Sequence, residues 1–188
     1  LDSSVLLAEM ALDREVFPLY FRVGLAWEDE EYRALAAFVD ALDSGNVRGV
    51  TEITVPIGPF YGRHWGVTGE GVPEAGSPDS RLFLPGRNIL LIGLAAIWCS
   101  THEVSEIAIG ALGGNPFPDA SPQFFEDFGR ALSAGLAHPI RVLSPFRGLE
   151  KPDLIGRHPE LPLQLTVTCM TPERGVHCGR CLKCEERQ

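Results

Sequence analysis

Apolar and polar positions alternate along the chain with two periods, and the switches between them mark the elements. Asp2, Ser3 and Ser4 are helix-capping residue types set before an apolar-periodic run, so a helix is predicted from here to near Asp13. Val16 to Val23 is rich in β-branched and aromatic residues and predicts a buried strand, despite Pro18. Glu28 to Leu42 has helical spacing, with Tyr32, Leu35, Ala36, Val39 and Leu42 on one face. A second strand is predicted over Val50 to Ile57. Gly58 to Pro85 is weakly periodic and rich in Gly and Pro, the pattern of an active-site or binding loop.

Arg87 to Thr101 predicts a helix that is apolar on nearly all sides and therefore central. Val104 to Gly110 is a third strand, Ser121 or Pro122 opens a helix to about Gly135, and Ile140 to Leu143 is a short strand. A helix near Glu150 to Gly156 follows, and a cysteine-rich segment closes the chain. Strands alternating with helices predict an α/β fold: a doubly wound, mostly parallel, five-stranded sheet, counting one strand expected before Leu1. Ligands of such sheets sit beyond the carboxyl ends of the strands.

The bulk properties narrow the function. The 188 residues carry a net charge of −9, which argues against a broad surface for duplex nucleic acid but leaves room for a small basic pocket. The longest apolar run, Ile89 to Cys99, is 11 residues, whereas a bilayer span needs roughly 20. No membrane or nucleic-acid partner is expected. Four of the five cysteines crowd into one segment, unlike a secreted disulfide framework, and the chain reads as cytoplasmic.

Those four form the pattern Cys169-x8-Cys178-x2-Cys181-x2-Cys184. A Cys-x2-Cys knuckle presents two thiolates to one ion, and Gly179 permits the tight turn. Four thiolates with no open position predict a closed, structural zinc site. Free or disulfide-paired cysteines are the plain alternative. An iron–sulfur cluster is the other, since Cys-x2-Cys-x2-Cys opens the bacterial ferredoxin run. That run continues x3-Cys-Pro, whereas Cys184 is followed by Glu185, Glu186 and Arg187, which favours zinc. His177 reads as a bystander, and Cys99 as a small buried hydrophobe.

A helix opening Asp-Ser-Ser is also a natural anion site, with free N–H groups and a positive dipole end. Usually such a motif follows a strand, so the chain reads as beginning in mid-motif. Of only two lysines, Lys151 stands at a helix start, a poor place for a cation unless it reaches an anion; a solvated surface lysine is the alternative. Pro85-Gly86-Arg87-Asn88 opens the central helix, and Arg87 can pair with a phosphate or carboxylate, or close a plain capped turn.

Together these residues resemble the 7-cyano-7-deazaguanine synthase family of the PP-loop ATP pyrophosphatases, of adenine nucleotide alpha-hydrolase-like fold. Leu1-Asp2-Ser3-Ser4 looks like the second half of the PP-loop Ser-Gly-Gly-x-Asp-Ser. Leu84 to Asn88 matches the family's Pro-Gly-Arg-Asn segment, Ile107 to Gly110 the strand after it, and Pro118-Asp119 the next loop. Leu165 to Cys184 matches the zinc segment. The chain departs at Val167, where the family has an aromatic residue. It departs also at Ala120, Ser121 and Gln123, which replace Cys, Arg and Glu, and at Ala111 to Gly114.

The resemblance implies ATP with Mg²⁺ held at Leu1, Asp2, Ser3, Ser4, Val5 and Leu6, and structural zinc on the four cysteines. It implies Arg87 and Lys151 as catalytic cations, and Asn88 and Asp119 at the substrate. The reaction implied joins 7-carboxy-7-deazaguanine and ammonia through an acyl-adenylate, giving 7-cyano-7-deazaguanine for queuosine synthesis. Residues 1–164 would form the nucleotide-binding domain and 165–188 the zinc segment. A homodimer is among the expected assemblies. A related enzyme using another acid or amine is one alternative, and a non-catalytic zinc-containing binding module is a second.

Overall fold

Twelve helices and strands and three 3₁₀ turns are present in the computed structural model, which describes residues 1–187. In chain order they are α1 (Asp2–Met10), β1 (Leu19–Arg22), α2 (Glu28–Leu42), β2 (Thr51–Thr54), α3 (Gly58–Tyr61), α4 (Trp65–Thr68) and α5 (Arg87–Thr101). Then follow β3 (Glu106–Ala108), α6 (Pro122–Leu136), β4 (Arg141–Leu143), α7 (Lys151–Arg157) and α8 (Leu182–Glu185). The chain groups into two compact units. One holds Leu1, Ser3–Arg81 and the segment from Ile155 on; the other holds Asp2 and Leu82–Leu154.

In the first unit, β1 and β2 pair in parallel with Leu19 opposite Thr51. Pro18 has no N–H to give a ladder, so β1 proper starts after it, and an isolated bridge joins Val16 to Val47. The pairing continues past the strand ends, because Val55 donates to the Arg22 carbonyl at 2.8 Å and Ile57 to that of Val23 at 2.9 Å. Helix α1 buries Leu7 and Ala8 against Phe38 of α2, with Val16, Val47 and Leu161 packed around them. At the end of β1 the buried Glu28 carboxylate accepts the N–H groups of Val23 and Gly24. That contact ties the first turn of α2 to the strand.

The second unit repeats the plan. β3 and β4 pair in parallel, Ile107 opposite Val142. α6 comes close to β4 at Gly129, where a Cβ would stand 3.2 Å from the Ile140 carbonyl oxygen. Ser133 locks the approach: its hydroxyl accepts the Ile140 N–H at 2.8 Å. Ser121 caps α6 through the Phe124 N–H at 3.2 Å.

Three expectations are corrected. The α/β character and the parallel pairing are present, but the five-stranded sheet is not; each sheet has two strands. The four strands are three or four residues long and pair two by two. Helix α5 is not buried all round: Ile89 is 46% exposed and Ile97 54%. Its inner face, Ile92, Ala95, Ala96 and Cys99, is buried, while its outer stripe lines a shallow groove with Phe128 and Leu132 of α6. Finally, the Gly- and Pro-rich stretch 58–85 is structured, holding α3, α4 and a 3₁₀ turn, with Trp65 stacked on Trp27 at 5.7 Å. No helix among the described residues is long and apolar enough to cross a membrane.

Candidate functional site

The four cysteines predicted from spacing come together. Gly179 turns the chain at φ +70°, and Cys181 starts α8, which brings Cys184 back one turn later. All four sulfurs lie within 4.8 Å of one another, and His177 is not among the grouped ligands. The Cys178–Cys184 and Cys169–Cys181 sulfur pairs are 3.9 Å apart, and Cys181–Cys184 is 3.5 Å. A disulfide needs about 2.05 Å. Four sulfurs on a tetrahedron of Zn–S length ~2.3 Å stand about 3.8 Å apart, so the geometry fits a tetrahedral ion.

The surroundings favour thiolates at a cation. The N–H groups of Thr171 and Cys178 donate to the Cys169 sulfur at 3.4 and 3.3 Å. Burial raises the Cys178 thiol, but hydrogen bonds from the Thr171 hydroxyl and the Arg180 and Cys181 amides outweigh it and bring the pKa down to about 6. Burial and the Cys181 thiol push Cys184 up to about 12. Four cysteine sulfurs gathered this closely suit a divalent cation, which favours the thiolate form of its ligands.

The segment is tied into the first unit at both sides. The Ala75 N–H donates to the Arg180 carbonyl at 2.9 Å, the Leu182 N–H to that of Pro73 at 3.0 Å, and the Gly76 N–H to the Glu185 carboxylate at 2.8 Å. Arg187 donates to the carbonyls of Thr166 and Leu163 at 2.8 and 2.7 Å. Nothing in the spacing of the 58–85 stretch points to this anchoring, which is carried by backbone groups.

Helix α1 begins at Asp2, with no side chain capping its first turn. Leu1, Val5 and Leu6 are core side chains, at most 9% exposed, and the Val5 N–H is already donated to the Leu1 carbonyl at 3.0 Å. Ser3 is exposed and Ser4 buried. In the second unit, the Lys151 ammonium lies 3.4 Å from Asp2 Oδ2, with the lysine side chain 8% exposed. The other oxygen, Asp2 Oδ1, is buried without a hydrogen-bond partner.

Asn88 and Asp119, both expected at the substrate, meet each other. The Asn88 N–H donates to Asp119 Oδ2 at 3.0 Å, and its side-chain amide donates to the Asp119 carbonyl at the same distance. Asp119, buried at 7% exposure, therefore caps α5 from a distant loop, where Gly86 supplies no side-chain cap. Arg87 is exposed, and its guanidinium has no protein partner among the described residues. Of the substituted loop residues, Ala120 is fully buried and Ser121 is spent on the α6 cap.

Comparison with known proteins follows the same lines. The chain is 30% identical to a protein named 7-cyano-7-deazaguanine synthase from Methanothermobacter thermautotrophicus, over 57% of this chain and 50% of that one. It is 28% identical to the Methanoculleus marisnigri protein of the same name, over 98% and 87%, and 35% identical to that of Methanopyrus kandleri, over 61% and 57%. The first match thus spans half the relative's length. By their names these relatives are enzymes, synthases. The model of the family described as queuosine biosynthesis protein QueC matches residues 1–188, and the chain belongs to that family.

Proposed function

We propose that this protein is an ATP-dependent carbon–nitrogen ligase that converts 7-carboxy-7-deazaguanine and ammonia to 7-cyano-7-deazaguanine. The observation that carries the reading is the pairing of Lys151 with Asp2 at the uncapped start of α1. A helix N-terminus with an adjacent cation suits a pyrophosphate leaving group. Residues 1–164 act as the PP-loop nucleotide-binding domain, and 165–188 as the zinc segment. The setting is cytoplasmic, with small molecules as partners and no nucleic acid, and a homodimer is one of the assemblies to test.

The chemistry asks for placement and charge neutralisation rather than a protein nucleophile. The substrate carboxylate attacks the α-phosphorus of ATP, giving an acyl-adenylate and pyrophosphate. Ammonia displaces AMP to form the amide. Attack of the amide oxygen on a second ATP releases a second pyrophosphate, and loss of the adenylated oxygen then leaves the nitrile, a second AMP and the two amide protons. Lys151, beside Asp2, meets the phosphate charge, and Arg87 meets the α-phosphate or the carboxylate. Asn88 and Asp119 shape the wall next to the acid. Asp2 Oδ1, buried and unpartnered, fits a Mg²⁺ ion, which when bound neutralises phosphate charge. Cys169, Cys178, Cys181 and Cys184 hold zinc, which cross-links the segment and has no open position for catalysis.

A second reading keeps the fold and adenylation but changes the acid or the amine acceptor. It is favoured by the loop from Ala111 to Gln123, where Gly113, Gly114 and Ala120 bring no polar side chain. Incubating the full-length protein with ATP, ammonium and a panel of acids, followed by mass spectrometry, tests both. AMP with the nitrile supports the proposal, ADP refutes it, and AMP without the nitrile selects the second reading.

A further inference from the structure

The loop 111–114 lies against the turn 146–150 that leads into Lys151, and its side of the contact is backbone. The Gly113 N–H donates to the Leu149 carbonyl at 2.9 Å, and Arg147 Nη1 donates to that of Leu112 at 3.1 Å. Added to Gly113, a Cβ would stand 2.9 Å from the Arg147 carbonyl oxygen and 3.3 Å from that of Leu149. Added to Gly114, it would stand 3.2 Å from a Glu150 carboxylate oxygen. Neither glycine has a positive φ, so the contact uses the missing side chain and not backbone freedom. Arg147 Nε is buried without a hydrogen-bond partner, a cost consistent with the guanidinium being committed to Leu112. The turn itself is anchored by Phe146, 1% exposed, and closed by the Leu149 N–H on the Phe146 carbonyl at 3.0 Å.

We propose that Gly113 and Gly114 are positioning residues for Lys151, a role that rests on the assignment of Lys151 to the phosphate site. Their bare backbone lets the loop seat against 147–150 and sets where the ammonium stands relative to Asp2. The same loop carries the chain's departures on the acid side, so a change in the loop is transmitted to the cation at the phosphate end. The two glycines differ in a testable way. At Gly113 the obstacle is backbone oxygen, which no side-chain movement relieves. At Gly114 it is the far end of the Glu150 side chain, which can be removed.

The test uses the full-length protein and an amine-acetylating reagent, with labelling of Lys151 read by peptide mass spectrometry. Lys183, ion-paired to Glu186 at 2.7 Å, is the internal reference. Gly113→Ala should raise Lys151 labelling relative to Lys183 by about tenfold, as an overpacked contact opens. It should also lower kcat more than it raises the KM for ATP. Gly114→Ala should do the same more weakly, and Glu150→Ala should restore it, while Glu150→Ala should not restore Gly113→Ala. Unchanged Lys151 labelling in Gly113→Ala overturns the proposal, as does an equal rise at Lys183 or a restoration of Gly113→Ala by Glu150→Ala. Should Gly113→Ala not fold, the Gly114→Ala and Glu150→Ala cycle decides by the same labelling. Labelling needs no catalysis: a wild-type protein without turnover refutes the reaction proposed above, and the positioning of Lys151 is still decided.

Discussion

Lys151 and Asp2 come from opposite ends of the chain, and their charged groups stand 3.4 Å apart with the lysine almost fully covered. A cation at the first residue of α7 opposes that helix's own dipole, and Asp2 offsets the cost. Replacing Lys151 by Met should leave the Asp2 carboxylate without this partner and cut turnover by about 100-fold, the loss typical of one preorganised charge at a reacting phosphate. Pyrophosphate release assays check this, and turnover within threefold of wild type would remove Lys151 from the site.

Arg87 should behave differently. It is exposed and without a protein partner among the described residues, so Arg87→Ala should leave the melting temperature nearly unchanged. A charge-assisted bond to substrate is worth about 1.5–3 kcal/mol, so kcat/KM should fall by roughly 10- to 150-fold. A lowered melting temperature with intact turnover would assign Arg87 to stability instead.

Asp119 caps α5 through the Asn88 N–H. Asp119→Ala should cost about 1 kcal/mol, the usual loss of a capping side chain, and Asp119→Asn, which keeps an oxygen acceptor, should recover most of it. Denaturant unfolding distinguishes the two; equal stability of all three proteins would contradict the cap.

The limits of α2 were legible from the helical spacing of Glu28 to Leu42, and the start of α5 from Pro85-Gly86-Arg87. Strand limits were less so, since Pro18 shortens β1 through a missing donor that hydrophobicity does not register. Sheet order depends on pairing between distant segments, which the local pattern does not encode, and the two-by-two arrangement was missed. The apolar surround of α5 read as burial because hydrophobicity alone cannot tell a covered face from an open one such as Ile89 and Ile97. At the site, the cysteines were legible from spacing, and the helix-start position of Lys151 pointed to an anion. That the anion is Asp2, and that Asn88 and Asp119 bond to each other, rests on long-range contacts no motif carries.

His158 sets a pH dependence. Burial lowers its pKa, but hydrogen bonds with Glu9 at 2.6 Å and Glu160 at 3.1 Å outweigh it, and the net shift is upward. A group raised above its unfolded value of about 6.5 contributes fully below that pH and loses its contribution as pH rises through the folded value. The melting-temperature gap between wild type and His158→Gln should therefore be larger at pH 6 than at pH 8.5. A gap that widens with rising pH would contradict the pairing.

The metal prediction is one zinc per chain, with Zn–S distances of about 2.3 Å by X-ray absorption. Cys181→Ser should lower zinc content and speed hydrogen exchange at Ala75 and Gly76, whose amides bond to the segment at Arg180 and Glu185. Iron in place of zinc would contradict the assignment.

Oxygen transfer tests the proposed adenylation at its centre. With 7-carboxy-7-deazaguanine labelled with ¹⁸O in both carboxylate oxygens, attack on the α-phosphorus carries one labelled oxygen into AMP at each of the two adenylations. The nitrile then holds none, and every AMP formed in the coupled reaction carries one. Mass spectrometry or ³¹P NMR of the AMP reads this directly. Labelled AMP in step with nitrile formation is the expected result. Unlabelled AMP, or label appearing in inorganic phosphate beside ADP, would contradict attack of the carboxylate on the α-phosphorus.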